Sequence, residues 1–244
     1  MRVLPVSRFE SSLFGSSTPR ASANQTSVSR AVGAFARRVS CQCATLGSAW
    51  LFLGCAPETG VDQIEITGPL SEAFALSDVF APSGAIGDGA TPGNLTTEVN
   101  GDFCMDRPDG ANGDCYRFSY QASTLLWAGV FWQHPANNWG TEPGQAVDPV
   151  FSRVRFLAAS NQPEQTVMFQ SGGIDDPELT YSDEFQVQMT ATLSTEWQEL
   201  SLDISGASYS SVLGGFAWVT NLPEGTDPAT APLIELYLDD IVWE

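Results

Sequence analysis

Residues 127–140 hold the densest set of side chains with chemistry to offer: Trp132, His134, Asn137, Asn138 and Trp139, with Pro135 ending the run. An indole face stacks on the apolar C–H face of a ring-shaped polyol, and neighbouring amides exchange hydrogen bonds with its hydroxyls. Trp132 lies in an alternating apolar run, where a core position is the plain alternative. Trp139 lies beyond that run, in an Asn-Gly loop, and is the candidate for an exposed stacking platform. His134 is the chain's single histidine, so a Ser-His-acid hydrolase would have to use it. No Gly-x-Ser-x-Gly turn accompanies it, which points to a binding or structural role instead.

A second set comes from alternation. Arg117, Ser119, Arg155, Gln170, Gln186 and Gln188 sit at the polar positions of runs of period two. Forked donors and acceptors of this kind read hydroxyl groups. Arg117, Arg155 and Gln170 are expected to share one sheet face with Trp139 as its polar partners. The alternative is the solvated face of half-buried sheets.

Residues 106–114 read DRPDGANGD, hard oxygen donors interleaved with glycines. The spacing is not that of an EF-hand, and no distal bidentate Glu follows. An Asx-rich turn is the simpler account. Cys104 and Cys115 flank it and are expected to close it as a disulfide. Two cysteines and one distant histidine are too few for zinc.

Charge divides the chain. Residues 1–55 carry six Arg and one Glu, a net +5; residues 56–244 carry four Arg and 28 acids, a net −24; together they make −19, and there is no Lys. The acidic part repels nucleic acid and anionic lipid. The basic part, with Arg37-Arg38 before a short apolar run ending at Cys55, has the character of an export signal. Leu51-Phe52-Leu53-Gly54-Cys55 resembles a bacterial lipobox, with Cys55 as the lipidation site, although Phe52 and Leu53 depart from it. A cleaved signal without lipid and an organellar transit peptide are the alternatives, and the length before Arg37 suits a start codon placed too far upstream. The expected organisation is residues 1–55 as signal, 56–60 as tether and 61–244 as one domain, in an outer-surface or periplasmic lipoprotein of the cell envelope, secreted if not lipidated. Membrane contact would run only through the lipid.

Period-two alternation predicts strands at 116–120, 127–133, 154–156, 166–170, 185–190, 197–204, 215–220 and 233–243, with 61–66 and 72–79 as earlier ones and 81–94 as a Gly- and Pro-rich loop. No run of helical period competes. The fold class is all-β, an antiparallel β-sandwich.

Three C-terminal runs then carry a resemblance: Trp197-Gln198-Glu199-Leu200-Ser201-Leu202-Asp203, Gly214-Gly215-Phe216-Ala217-Trp218, and Leu236-Tyr237-Leu238-Asp239-Asp240-Ile241. They resemble the closing strands of galactose-binding-like β-jelly-roll carbohydrate-binding modules. The resemblance implies non-catalytic polysaccharide or oligosaccharide binding. It also implies a structural Ca²⁺ on Asp239 or Asp240, with Glu65, Glu72 or Asp78 as partner. If Leu238 and Val242 face the core, Asp240 is the inward carboxylate, which burial requires to be paired or metal-bound. A structural or adhesive envelope domain is the second reading, and a polysaccharide-degrading enzyme the third.

Overall fold

The computed structural model describes residues 68–244. The signal, the tether, Cys55, the expected strand at 61–66 and Glu65 lie outside the described residues. Thirteen strands follow in chain order: β1 (Phe74–Ala75), β2 (Ala81–Gly87), β3 (Leu95–Val99), β4 (Tyr116–Tyr120), β5 (Trp127–Gln133), β6 (Gln145–Ala146), β7 (Arg153–Ser160), β8 (Gln165–Gly172), β9 (Gln186–Leu193), β10 (Gln198–Asp203), β11 (Ser211–Val212), β12 (Gly214–Asn221) and β13 (Ile234–Trp243). Two antiparallel sheets pack face to face. One runs β10-β7-β13-β4-β3, with β1 on the far end of β13; the other runs β2-β5-β12-β8-β9. The chain is an antiparallel β-sandwich.

Alternation places the core. In β4, Tyr116, Phe118 and Tyr120 are buried while Arg117 and Ser119 face out. Trp132, Trp218, Trp243, Phe118, Phe156, Phe169 and Phe216 fill the space between the sheets and are almost fully buried. Most of their rings meet edge-on or tilted, with Phe169 and Phe216 stacked at 5.9 Å; Trp132 lies 5.2 Å from Tyr116 and 5.4 Å from Phe216. This is the arrangement the ring quadrupole favours. Truncating one such residue to Ala costs about 3–5 kcal/mol.

Two elements differ from the sequence reading. Residues 81–87 form β2 despite Pro82 and Gly84. β2 is an edge strand paired only with β5, and the register shifts between Pro82 and Gly84, so the missing proline N–H breaks no ladder. A Cβ on Gly84 would lie 2.7 Å from the end of the Gln133 side chain, so glycine lets that amide rest against the strand. Residues 72–79 hold only β1 and a single 3-10 turn, Leu76–Asp78.

The larger correction is in β13. A bulge between Asp239 and Val242 resets its register on β7, with Asp240 in left-handed backbone at φ 49°. Leu238 faces the core before the bulge, and Ile241 and Trp243 face it after. The bulge returns Ile241 to the core, so Asp240 does not turn inward; the buried carboxylate is Asp239, on the outer face next to Leu238, where Arg107 covers it.

Buried Asp88 pins the turns at one end. It accepts hydrogen bonds from the Tyr120 hydroxyl and the backbone N–H groups of Ser123, Leu125 and Leu126. Burial pushes its pKa up, but the hydrogen bonds outweigh that and hold it below the ordinary value.

Candidate functional site

The expected site residues fall on different parts of the sandwich. Arg117 and Arg155 stand on the outer face of the sheet containing β13; Gln170 and Trp139 stand over the other sheet, so the expected single face does not form. Trp132 is fully buried between the sheets. Asn138 is buried and organises its own loop: Oδ1 accepts from the N–H groups of Gly140, Thr141 and Glu142, and Nδ2 donates to the carbonyls of His134 and Glu142. His134 Nδ1 lies 2.9 Å from the Val79 carbonyl, which places the ring proton on Nδ1 and ties the strand end to the preceding turn.

Trp139 is half-buried, edge-on to Phe131 at 5.8 Å, in a small cluster with Ile174, Leu213, Ala217 and Leu179. This cluster covers part of the outer face of the second sheet. Beside it, Gln170 Nε2 donates to the Gly172 carbonyl, and Gln170 Oε1 accepts from both Gln186 and Gln188. The Gln170 amide is thus occupied at both ends within the protein. Asp183 supports the covering loop, accepting from the N–H groups of Ile174, Leu213 and Gly214. Burial raises its pKa to about 6 against the pull of those bonds.

The opposite face holds a cavity of about 290 Å³ lined by Phe103, Asp106, Ala159, Asn161, Trp197 and Tyr237, among others. Register explains it. Arg117 on β4 pairs with Tyr237 on β13, and Tyr237 pairs with Ala159 on β7. Trp197 stands immediately before β10, whose Gln198 pairs with Ala158. The small Ala159 side chain leaves depth beside two large rings, Trp197 and Tyr237, which meet edge to face with centroids 6.3 Å apart and planes inclined at 64°. Phe103 closes the third side, 6.1 Å from Tyr237, with its face over the Arg117 guanidinium at 4.8 Å. Arg117 is in turn held by Glu98 at 2.6 Å and Glu235 at 3.8 Å. The Tyr237 hydroxyl donates to Glu235; burial, then that carboxylate, raises the phenol pKa and keeps it neutral. Asn161 is fixed by donating to the Leu233 carbonyl and accepting from the Glu235 N–H.

The wall that carries Phe103 and Asp106 is anchored twice. Cys104 and Cys115 form the expected disulfide. Arg107 reaches over the sheet to Asp239, Nη1 to Oδ2 at 3.2 Å. Asp239 is fully buried, and desolvation lifts its pKa against the pull of Arg107. Asp240 pairs with Arg155 at 2.8 Å. Arginine thus stands where the expected Ca²⁺ would. Asp239 and Asp240 face separate guanidinium groups and supply no convergent set of oxygens, and no group of three metal-ligating side chains occurs among the described residues. The described donors do not fit the ion.

Sequence reasoning missed Phe103, Trp197 and Tyr237. The alternation of β13 does put Tyr237 on the outer face, between Glu235 and Asp239, and an aromatic in a polar row was the available signal. Phe103 had none, because the disulfide-closed loop alone brings it over the sheet.

No protein-family model matches the chain, and no curated protein does. Among solved structures, a family 30 carbohydrate-binding module aligns at 14% identity and a TM-score of 0.43, over 70% of this chain and 98% of that one. The family 30 module of the Clostridium thermocellum cellulase Cel9D-Cel44B aligns at 15% and 0.39, over 67% and 90%. A family 11 module from Clostridium thermocellum, in complex with a β-1,3-1,4-mixed-linked tetrasaccharide, aligns at 12% and 0.37, over 75% and 92%. Likenesses this distant leave the ligand to this chain's own side chains.

Proposed function

We propose that this domain binds polysaccharide, without cleaving it, in the groove between Trp197, Tyr237 and Phe103. The observation that supports this reading is the trio of half-buried rings around a cavity floored by Ala159, with fixed polar groups at its rim. A sugar ring presents an apolar face to such rings and its hydroxyls to the rim. Titration calorimetry of the full-length protein against a polysaccharide panel tests it. Trp197→Ala should weaken the best ligand by about 1–3 kcal/mol, the scale for burying a large apolar side chain, with little change in melting temperature. Trp139→Ala should instead lower stability and leave affinity unchanged. The reverse pattern would move the site to the glutamine-bearing sheet, and the absence of binding to any polysaccharide would leave a structural envelope domain as the reading.

Anchoring at the cell surface through a lipid on Cys55 belongs to the same proposal, motivated by the lipobox-like run before it. Cys55→Ser should release the protein from membranes; a variant that stays membrane-bound without lipid would refute the anchor.

A further inference from the structure

We infer that the groove selects polymers of amino sugars, whose residues carry protonated amines, over neutral and uronic-acid glycans. The inference rests on the groove binding glycan at all, and concerns which charge it accepts.

It follows from an inventory of charge. The chain has no Lys, and the described residues contain four Arg. Each is committed to carboxylates: Arg107 to Asp239, Arg117 to Glu98 and Glu235, Arg153 to Glu244, and Arg155 to Asp240 and Glu244. Among the described residues no Arg or Lys remains to meet a carboxylate or sulfate on a ligand, and the surrounding field is strongly negative. An anionic polymer would have to approach an acidic surface with no counter-charge waiting in the groove.

The groove itself offers the opposite. Asp106 lines the cavity, is exposed, and makes no hydrogen bond or ion pair with any described residue. Asp106 stands on the same wall as Phe103, in the lining of the cavity that Trp197 and Tyr237 border. Ring faces attract cations, most strongly those of Trp and Tyr. The molecule already uses this attraction on one side, where the Arg117 guanidinium sits over the Phe103 ring at 4.8 Å. An ammonium group on a sugar stacked in the groove would meet both the rings and the free carboxylate. A neutral hydroxyl in its place would meet only a hydrogen-bond acceptor. The acidic field also concentrates a polycation near the mouth, so the preference should appear in the association rate and fall with salt.

The test is calorimetry on the full-length protein with four oligosaccharides of matched length: a glucosamine oligomer, its N-acetylated counterpart, a neutral glucan oligomer and a galacturonate oligomer. In mildly acidic buffer the glucosamine oligomer should bind roughly tenfold tighter than the N-acetylated and neutral ones, the combined scale of a cation–π contact and an exposed ion pair. The galacturonate oligomer should bind weakest. The advantage should shrink as the amine deprotonates in mildly alkaline buffer. Asp106→Asn should erase most of it, bringing the glucosamine oligomer close to the N-acetylated and neutral ones, whereas Glu178→Gln, on the opposite face, should preserve it. If neutral or anionic oligomers bind as tightly as the glucosamine oligomer, or Asp106→Asn changes nothing, the charge selection is wrong while the groove stands. If Trp197→Ala also leaves every affinity untouched, or nothing binds, the groove reading falls and the selection with it.

Discussion

The ion pair between Arg107 and Asp239 is the interaction on which the groove wall most depends, and Arg107→Ala is the perturbation that isolates it. In the native protein Arg107 Nη1 lies 3.2 and 3.4 Å from the two carboxylate oxygens, and Asp239 is fully buried while Arg107 is one-third exposed. Removing the guanidinium leaves Asp239 with the Asp240 N–H, at 2.6 Å, as its remaining donor. Breaking a fully buried pair costs about 3–5 kcal/mol. Because Arg107 reaches solvent, water screens the orphaned carboxylate and the expected loss is about 2–3 kcal/mol. The loss should depend on pH with a definite sign. Desolvation already raises the folded pKa of Asp239 above its ordinary value, and losing Arg107 raises it further. The folded state then binds more protons than the unfolded one between the ordinary and the raised value, so stability falls as pH rises through that window. The mutant's deficit should be smallest in acid and complete near neutrality. Urea unfolding of the wild type, Arg107→Ala, Asp239→Asn and the double variant, at mildly acidic and neutral pH, measures both the deficit and the coupling energy. A deficit below about 0.5 kcal/mol, within the range of an unremarkable surface substitution, or one that does not change with pH, would refute the reasoning. So would a rise in wild-type melting temperature with excess calcium, since a cation on Asp239 must displace Arg107.

Two further outcomes are expected. Asp183 has a folded pKa of about 6 through burial, against an ordinary 3.8, so its contribution is fully present in acid and is lost as pH rises from about 4 through 6, about 3 kcal/mol in all; subtracting the urea-derived stability curve of Asp183→Asn from that of the wild type should expose this slope, and parallel curves would rule it out. The Cys104–Cys115 disulfide closes a short loop with a sequence separation of 11, so Cys104→Ser with Cys115→Ser should lose about 2–3 kcal/mol in the loop-entropy model and weaken glycan binding through the Phe103 wall; thermal melts with calorimetry check this, and unchanged affinity would show that the wall holds without the crosslink.

Period-two alternation made most of the sandwich legible, because each strand buries one face and the pattern of apolar residues records which. Strands β4, β5, β7, β8, β9, β10, β12 and β13 all fall where alternation put them. The disulfide was legible too, from two cysteines flanking a polar glycine-rich turn in an otherwise cysteine-free domain. β2 was not, since Pro82 and Gly84 signal a loop unless the strand is known to lie at an edge.

The site was legible only in its chemistry. The amino-acid types announced aromatic and polar recognition, but alternation says which side of its own sheet a residue faces and not which sheet it belongs to. Arg117 and Gln170 therefore looked alike and lie on opposite faces of the molecule. The bulge at Asp239–Val242 kept Asp240 from turning inward, and only pairing against β7 reveals it; Asp239 is buried by the Arg107 loop laid over the outer face. Phe103, Trp197 and Tyr237 come from three distant stretches of chain. What joins them is the register of β13 with β4 and β7 and the crosslinked loop laid across that sheet. Local sequence determines the period and the kinds of side chain on each strand; the long-range pairing that sets neighbours decides where they meet.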